Sequence, residues 1–131
     1  MVKSSSSEDY LKCILALTRM NGTVRSVDIS KEMGVTRPSV SNAMKKLREQ
    51  NLIYFGGGGN IFLTDEGLAA AEKVYSKHST LSKLLRIAGV NQDTADKEAC
   101  MMEHVICDST YECLDEYIKK HDVEEEVKPA L

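Results

Sequence analysis

The chain has 131 residues, a formal net charge of −3, and 42% apolar and 28% charged residues. This composition fits one compact domain or two small ones sharing a core, and it excludes a chain that is disordered beyond its ends. No apolar run approaches the ~18 residues that span a bilayer, and Met1-Val2-Lys3 leads into a polar serine run rather than a signal-peptide core.

A cytoplasmic protein is therefore expected. In that reducing compartment Cys13, Cys100, Cys107 and Cys113 are core residues, metal ligands or redox-active thiols rather than structural disulfides. The charge is also divided: residues 1–60 carry +4 and residues 61–131 carry −7. Only the first half suits a polyanion such as DNA.

In chain order, the capping-box spacing of Ser5 and Glu8 and the helical recurrence of Leu11, Ile14, Leu15 and Leu17 predict a helix over about 6–20, stopped by Asn21-Gly22. Ser26 is a candidate cap for a short second helix carrying Val27, Ile29 and Met33, ending at Gly34. After a tight turn, Thr36 caps a third helix that tolerates Pro38 in its first turn and buries Val40, Ala43, Met44 and Leu47.

Two β-prone runs, 52–55 and 61–63, flank Gly56-Gly57-Gly58-Gly59-Asn60 and predict a hairpin. Thr64 then caps a long helix, with Asp65 and Glu66 at the positive end of its dipole, continuing to about Arg86 with room for a bend near His78. A helix over about 93–107 follows, then another opened by the capping-box spacing of Ser109 and Glu112, with an acidic tail fraying from Asp122.

The order helix, helix, tight turn, helix, hairpin is the layout of a winged helix-turn-helix, whose third helix enters the major groove. The fold class is thus mainly α with a small β-hairpin: a winged helix-turn-helix DNA-binding domain over 1–72 and a helical domain over 73–131. Thr36, Arg37, Pro38, Ser39, Asn42, Lys45 and Lys46 form the candidate DNA-binding set. Hydroxyls and amides reach base edges, while Lys and Arg engage phosphate or guanine. The competing reading is an ordinary solvated face.

Chemistry concentrates in Cys100-Met101-Met102-Glu103-His104. Positions three and four apart share a helix face, so a thiolate, a carboxylate and an imidazole can converge on one ion. The structural alternative has Cys100 in the core, Glu103 in an ion pair and His104 capping a carbonyl. His78 and the Glu8-Asp9 pair can supply ligands from other helices, whereas Cys13, Cys107 and Cys113 read as buried, apolar-like residues.

Ser7-Glu8-Asp9-Tyr10-Leu11, the stretch from Asp28-Ile29-Ser30 to Pro38-Ser39-Val40-Ser41, Leu63-Thr64-Asp65-Glu66-Gly67, His78, and Glu98-Ala99-Cys100-Met101-Met102-Glu103-His104 together resemble the diphtheria toxin repressor family of iron- and manganese-dependent regulators. The likeness covers about residues 5–120. It implies a homodimer whose paired winged helices grip a palindromic operator in double-stranded DNA when metal is bound.

Residue by residue, it makes Asp9, Cys100, Glu103 and His104 the main metal site and gives His78 to a second, neighbouring one. Lys12 stands where manganese-type members carry a second carboxylate. Ser82 stands where the iron type carries an acidic ligand. The thiol of Cys100 is like the iron-type pattern, and a soft ligand shifts preference from Mn2+ towards Fe2+, Co2+ or Zn2+; Fe2+ or Mn2+ is the expected cofactor. The length matches the short form without a further carboxy-terminal β-domain.

A regulator of metal-ion homeostasis follows, with no enzymatic role, membrane partner or organic substrate expected. Ligands drawn from both halves would let one ion set the spacing of the two recognition helices. The alternatives are a thiol-redox-responsive winged-helix regulator acting through Cys100 or Cys107, a metallohydrolase, and a protein-binding winged helix.

Overall fold

The computed structural model describes residues 7–127, with side chains to residue 121. Helix α1 spans Ser7–Asn21 with Glu8 and Asp9 in its first turn, where carboxylates favour the helix dipole. The expected cap Ser5 lies outside the described residues. Leu11, Ile14, Leu15 and Leu17 are buried as their spacing requires, joined by Tyr10 and Cys13.

Helix α2 spans Ser26–Met33, and its cap is Arg25 rather than Ser26. Arg25 is extended (φ −126°, ψ 164°) and its N–H donates to the Asp28 carboxylate at 2.9 Å. A charged acceptor three residues on makes the stronger bond and fixes the start one residue early. Gly34 ends the helix at φ 68°, a left-handed conformation in which it has no Cβ to clash.

Helix α3, Arg37–Glu49, opens as expected: the Thr36 hydroxyl oxygen accepts from the Ser39 N–H at 3.3 Å, and Pro38 sits in the first turn. Val40, Met44 and Leu47 are buried and Ala43 packs against them.

Strands β1, Ile53–Phe55, and β2, Ile61–Leu63, pair antiparallel with Ile53 opposite Leu63 and Phe55 opposite Ile61. A 3₁₀ turn over Gly57–Gly59 joins them. Ile53 and Ile61 face the core, while Tyr54 and Phe62 stack on the other face with ring centroids 5.3 Å apart. The Ile61 N–H also donates to Val24 O at 2.8 Å, which fastens the segment before α2 to the second strand.

The core of this unit unites Ile14, Ile29, Val40, Met44, Leu47, Ile53 and Ile61. Each fully buried large side chain contributes roughly 1.5–3 kcal/mol, so this cluster, rather than the short hairpin alone, holds the wing in place.

Helix α4, Asp65–Ile87, runs unbroken through His78. The Thr64 hydroxyl starts it, accepting from the Gly67 N–H at 3.0 Å and donating to Asn51 O at 2.8 Å. The chain divides into two units, Met1–Val74 and Tyr75–Leu131. In the second, helix α5 covers Gln92–Met102 and helix α6 covers Asp108–Val127.

Both differ from expectation. Helix α5 stops five residues early, because after Met102 the chain tightens into i→i−3 bonding: His104 N–H donates to Met101 O at 3.3 Å and Val105 N–H to Met102 O at 3.0 Å. Helix α6 starts before Ser109, with the Cys107 carbonyl accepting from Tyr111 N–H at 3.0 Å, and continues past Asp122.

Leu81, Ala95, Ala99 and Ile118 are buried in this second unit. Polar contacts pin its helices: Ser82 Oγ donates to Asp96 at 2.6 Å, Thr80 Oγ1 to Asp115 at 3.2 Å, and Lys77 Nζ lies 3.3 Å from Asp108. Among the described residues no helix is long and apolar enough to cross a membrane.

Candidate metal centre and nucleic-acid interface

The carboxy-terminal unit links four of the expected ligands in a chain of pairwise contacts, from Cys100 through His78 and Glu103 to His104. His78 projects from α4 and Cys100 from α5, whereas Glu103 and His104 occupy the turn that follows α5 rather than the helix itself. The turn still suits them: Glu103 keeps right-handed helical angles (φ −61°, ψ −21°) and its N–H donates to Ala99 O at 2.9 Å. Its side chain therefore leaves α5 in nearly the direction a helix would give it.

Cys100 Sγ lies 3.7 Å from His78 Nδ1, and His78 Nδ1 lies 3.3 Å from Glu103 Oε1. The other carboxylate oxygen, Oε2, is 3.5 Å from His104 Nε2. Bond lengths of about 2.0–2.3 Å to N, O and S in a tetrahedral site imply donor separations of roughly 3.3–3.6 Å. The two imidazole–carboxylate separations fall in that range, and the thiol–imidazole one, 3.7 Å, lies just above it.

The Glu103 side chain is 0% exposed, against 19% for His78 and 22% for His104. A buried carboxylate is costly unless positive charge faces it, and the two imidazoles beside it and the thiol beside His78 are all groups that ligate transition metals. The donor set fits a divalent transition ion.

The family resemblance gives His78 to a neighbouring site, yet its Nδ1 faces both Cys100 and Glu103. Asp9 lies half-buried in the first turn of α1, in the other unit, and Lys12 is half-buried on the same helix. Ser82 is buried, with its hydroxyl committed to Asp96.

Of the three cysteines expected to be buried, only Cys13 is; Cys107 and Cys113 are exposed. Residue type alone misled here, because Cys107 falls in the exposed turn before α6 and Cys113 on that helix's open face. Burial pushes the Cys13 thiol up to about 12. Hydrogen bonding from Ser109, then Thr110, lowers Cys107 to about 6.

Every member of the expected DNA-binding set, Thr36, Arg37, Pro38, Ser39, Asn42, Lys45 and Lys46, is exposed on α3 or at its cap. Two of them brace each other, Thr36 Oγ1 donating to Ser39 Oγ at 2.9 Å. Sequence reading passed over Arg25 and Arg48. A side-chain carbon placed on Gly59 would sit 4.0 Å from Arg25 Nη2, and the Arg48 guanidinium lies 5.7 Å from the centre of the Phe55 ring. The signal available was the absence of any charged residue over 50–64.

Three helices and a hairpin in this order define a winged-helix unit, and the second unit adds a metal-type ligand cluster. Two family models match: iron dependent repressor, N-terminal DNA binding domain, over residues 3–57, and iron dependent repressor, metal binding and dimerisation domain, over residues 64–131. The chain belongs to the iron-dependent repressor family, a family of metal-dependent transcriptional regulators.

It is 31% identical over 114 residues to the transcriptional regulator MntR of Escherichia coli O157:H7, covering 87% of this chain and 74% of that one. The structure of the manganese regulator SloR superposes with a TM-score of 0.78 at 29% identity, covering 89% of this chain. A manganese-dependent transcriptional repressor in complex with manganese gives 0.79 at 28% identity over 87% of this chain. The chain spans 55% and 53% of those two solved chains, about half their length.

Proposed function

We propose that this protein is a repressor of metal-ion homeostasis genes, activated by Fe2+ or Mn2+, that binds a palindromic operator as a homodimer and has no catalytic role. The observation that carries the metal reading is Glu103: a fully buried carboxylate with an imidazole on each oxygen and a thiol beside one of those imidazoles. His78, Cys100, Glu103 and His104 would hold the ion, and the family likeness adds Asp9 from the amino-terminal unit.

When bound, the ion supplies the positive charge that a buried carboxylate and thiolate require. Cys100 would bind it as a thiolate, releasing its proton to solvent, which ties affinity to pH. Because Asp9 and the other four residues belong to different units, shared ligation would narrow the range of spacings open to the two recognition helices. Both can enter the major groove only at about 34–36 Å. Thr36, Arg37, Pro38, Ser39, Asn42, Lys45 and Lys46 then read the half-site, with cytoplasmic DNA as the partner. The relatives are metal regulators and lend nothing to the thiol-redox alternative.

The test is an anaerobic titration of Mn2+, Fe2+, Zn2+ and Co2+, recording metal stoichiometry and DNA binding together. Cys100→Ala and His104→Ala are expected to lose metal stimulation while keeping the helical circular dichroism of the parent. Metal-stimulated DNA binding that persists unchanged in both variants refutes the assignment.

A further inference from the structure

We propose that Arg25 is the phosphate anchor of the wing, supplied to the hairpin from the segment before α2. The wing has an unusual electrical deficit: residues 50–64 contain no charged side chain, and its tip is four consecutive glycines. Gly57, Gly58 and Gly59 are exposed, with Gly58 at φ 72° and Gly59 at φ 79°. A glycine tip lets backbone approach a ligand closely, but it offers a polyanion no cation. Duplex DNA presents one phosphate charge per ~1.7 Å of its axis, and affinity for it comes from Lys and Arg that displace counterions.

The structure places such a cation beside the tip. The exposed Arg25 guanidinium lies within 4.0 Å of where a Gly59 side chain would begin. Its mount is rigid, because Val24 O accepts from Ile61 N–H at 2.8 Å on strand β2 and the Arg25 N–H donates to Asp28 at 2.9 Å. Arg48, over the ring of Phe55 where β1 enters the turn, is a second cation on the hairpin, held on an aromatic face rather than against the glycines. Arg25 is the cation set against the glycine tip itself. In helix-turn-helix docking the helix before the recognition helix crosses the DNA backbone, and Arg25 caps that helix. The role differs from that of the α3 residues: it fixes position and carries no sequence information.

This inference rests on the DNA-binding reading above. The experiment uses the full chain saturated with Mn2+ and two fluorescent duplexes of about 30 bp, roughly three helical turns, one A·T-rich and one G·C-rich. Affinity is measured against salt for the parent, Arg25→Gln and Arg25→Lys. Each lost phosphate contact makes the log–log slope shallower by about 0.9, so Arg25→Gln is expected to lose roughly two for a dimer, equally on both duplexes. Arg25→Lys keeps the slope, and melting temperature and metal stoichiometry stay at parental values.

An unchanged slope in Arg25→Gln overturns the proposal, and so does a loss confined to one duplex, which would mean base or groove-width reading instead. A parent chain that binds neither duplex in a salt-dependent manner removes the DNA-binding reading itself.

Discussion

His78 and Glu103 meet in the carboxy-terminal unit with Nδ1 3.3 Å from Oε1, one residue from a long helix and the other from the turn that closes a short one. The pair joins the candidate ligands, since Cys100 contacts the same imidazole nitrogen and His104 the other carboxylate oxygen. Glu103→Gln keeps the shape and removes the charge. Its affinity for Mn2+ by calorimetric titration is expected to fall by more than the 10–100-fold typical of groups outside a ligand set. A loss under tenfold would remove Glu103 from that set.

Gly67 offers a sharper steric test. It lies in the first turns of α4, where replacement by Ala normally gains up to about 1 kcal/mol of helix propensity. Here the added Cβ would run into the backbone carbonyl of Leu52, which has no flexible end to swing aside. Overpacking of that kind costs roughly 1–3 kcal/mol, so clash outweighs propensity and Gly67→Ala should lower stability. Chemical denaturation of the parent and variant reads this directly; a stabilised variant contradicts it.

Thr36 both caps α3 and braces Ser39. Thr36→Ala is expected to cost about 1 kcal/mol, within the 0.5–2 kcal/mol known for such caps, and Thr36→Ser to recover most of it. Equal denaturation midpoints for parent and Ala variant would show that the cap bond contributes nothing.

The cysteines should separate by pH. Cys107 is lowered to about 6, first by its hydrogen bond with Ser109 and then by Thr110. The thiolate is the reactive form, so its alkylation by iodoacetamide should rise with pH, reach half its maximum near pH 6 and level off above. Ser109→Ala moves that midpoint up toward the ordinary 9.0. Peptide mapping by mass spectrometry follows each site, and Cys13, buried in the core, should remain unlabelled in the folded protein.

Much of the amino-terminal unit was legible because its signals are local. Thr36 caps α3 through a residue three positions on, Gly34 ends α2 by its own backbone freedom, and Thr64 starts α4 after the hairpin. Where two local signals competed, the reading slipped: Ser26 has the right side chain for a cap, but Asp28 binds the N–H of Arg25 first.

The candidate centre was legible as residue types and not as geometry. Spacing alone put Cys100, Glu103 and His104 on one helix, yet whether a helix survives past Met102 depends on the turn it must enter. The approach of His78 to Cys100 arises from how α4 packs against α5, which no periodicity in either segment records. Exposure of Cys107 and Cys113 was invisible for the same reason, since a thiol carries no mark of which face it will occupy.

The thiol of Cys13, held in the core with its ionisation pushed up to about 12 by burial, stays protonated at neutral pH. A chain of the iron-dependent repressor family thus keeps one of its four sulfurs chemically silent. Mercury, cadmium or peroxide would find that atom closed to them until the amino-terminal unit comes apart, so labelling at Cys13 is a built-in reporter of unfolding.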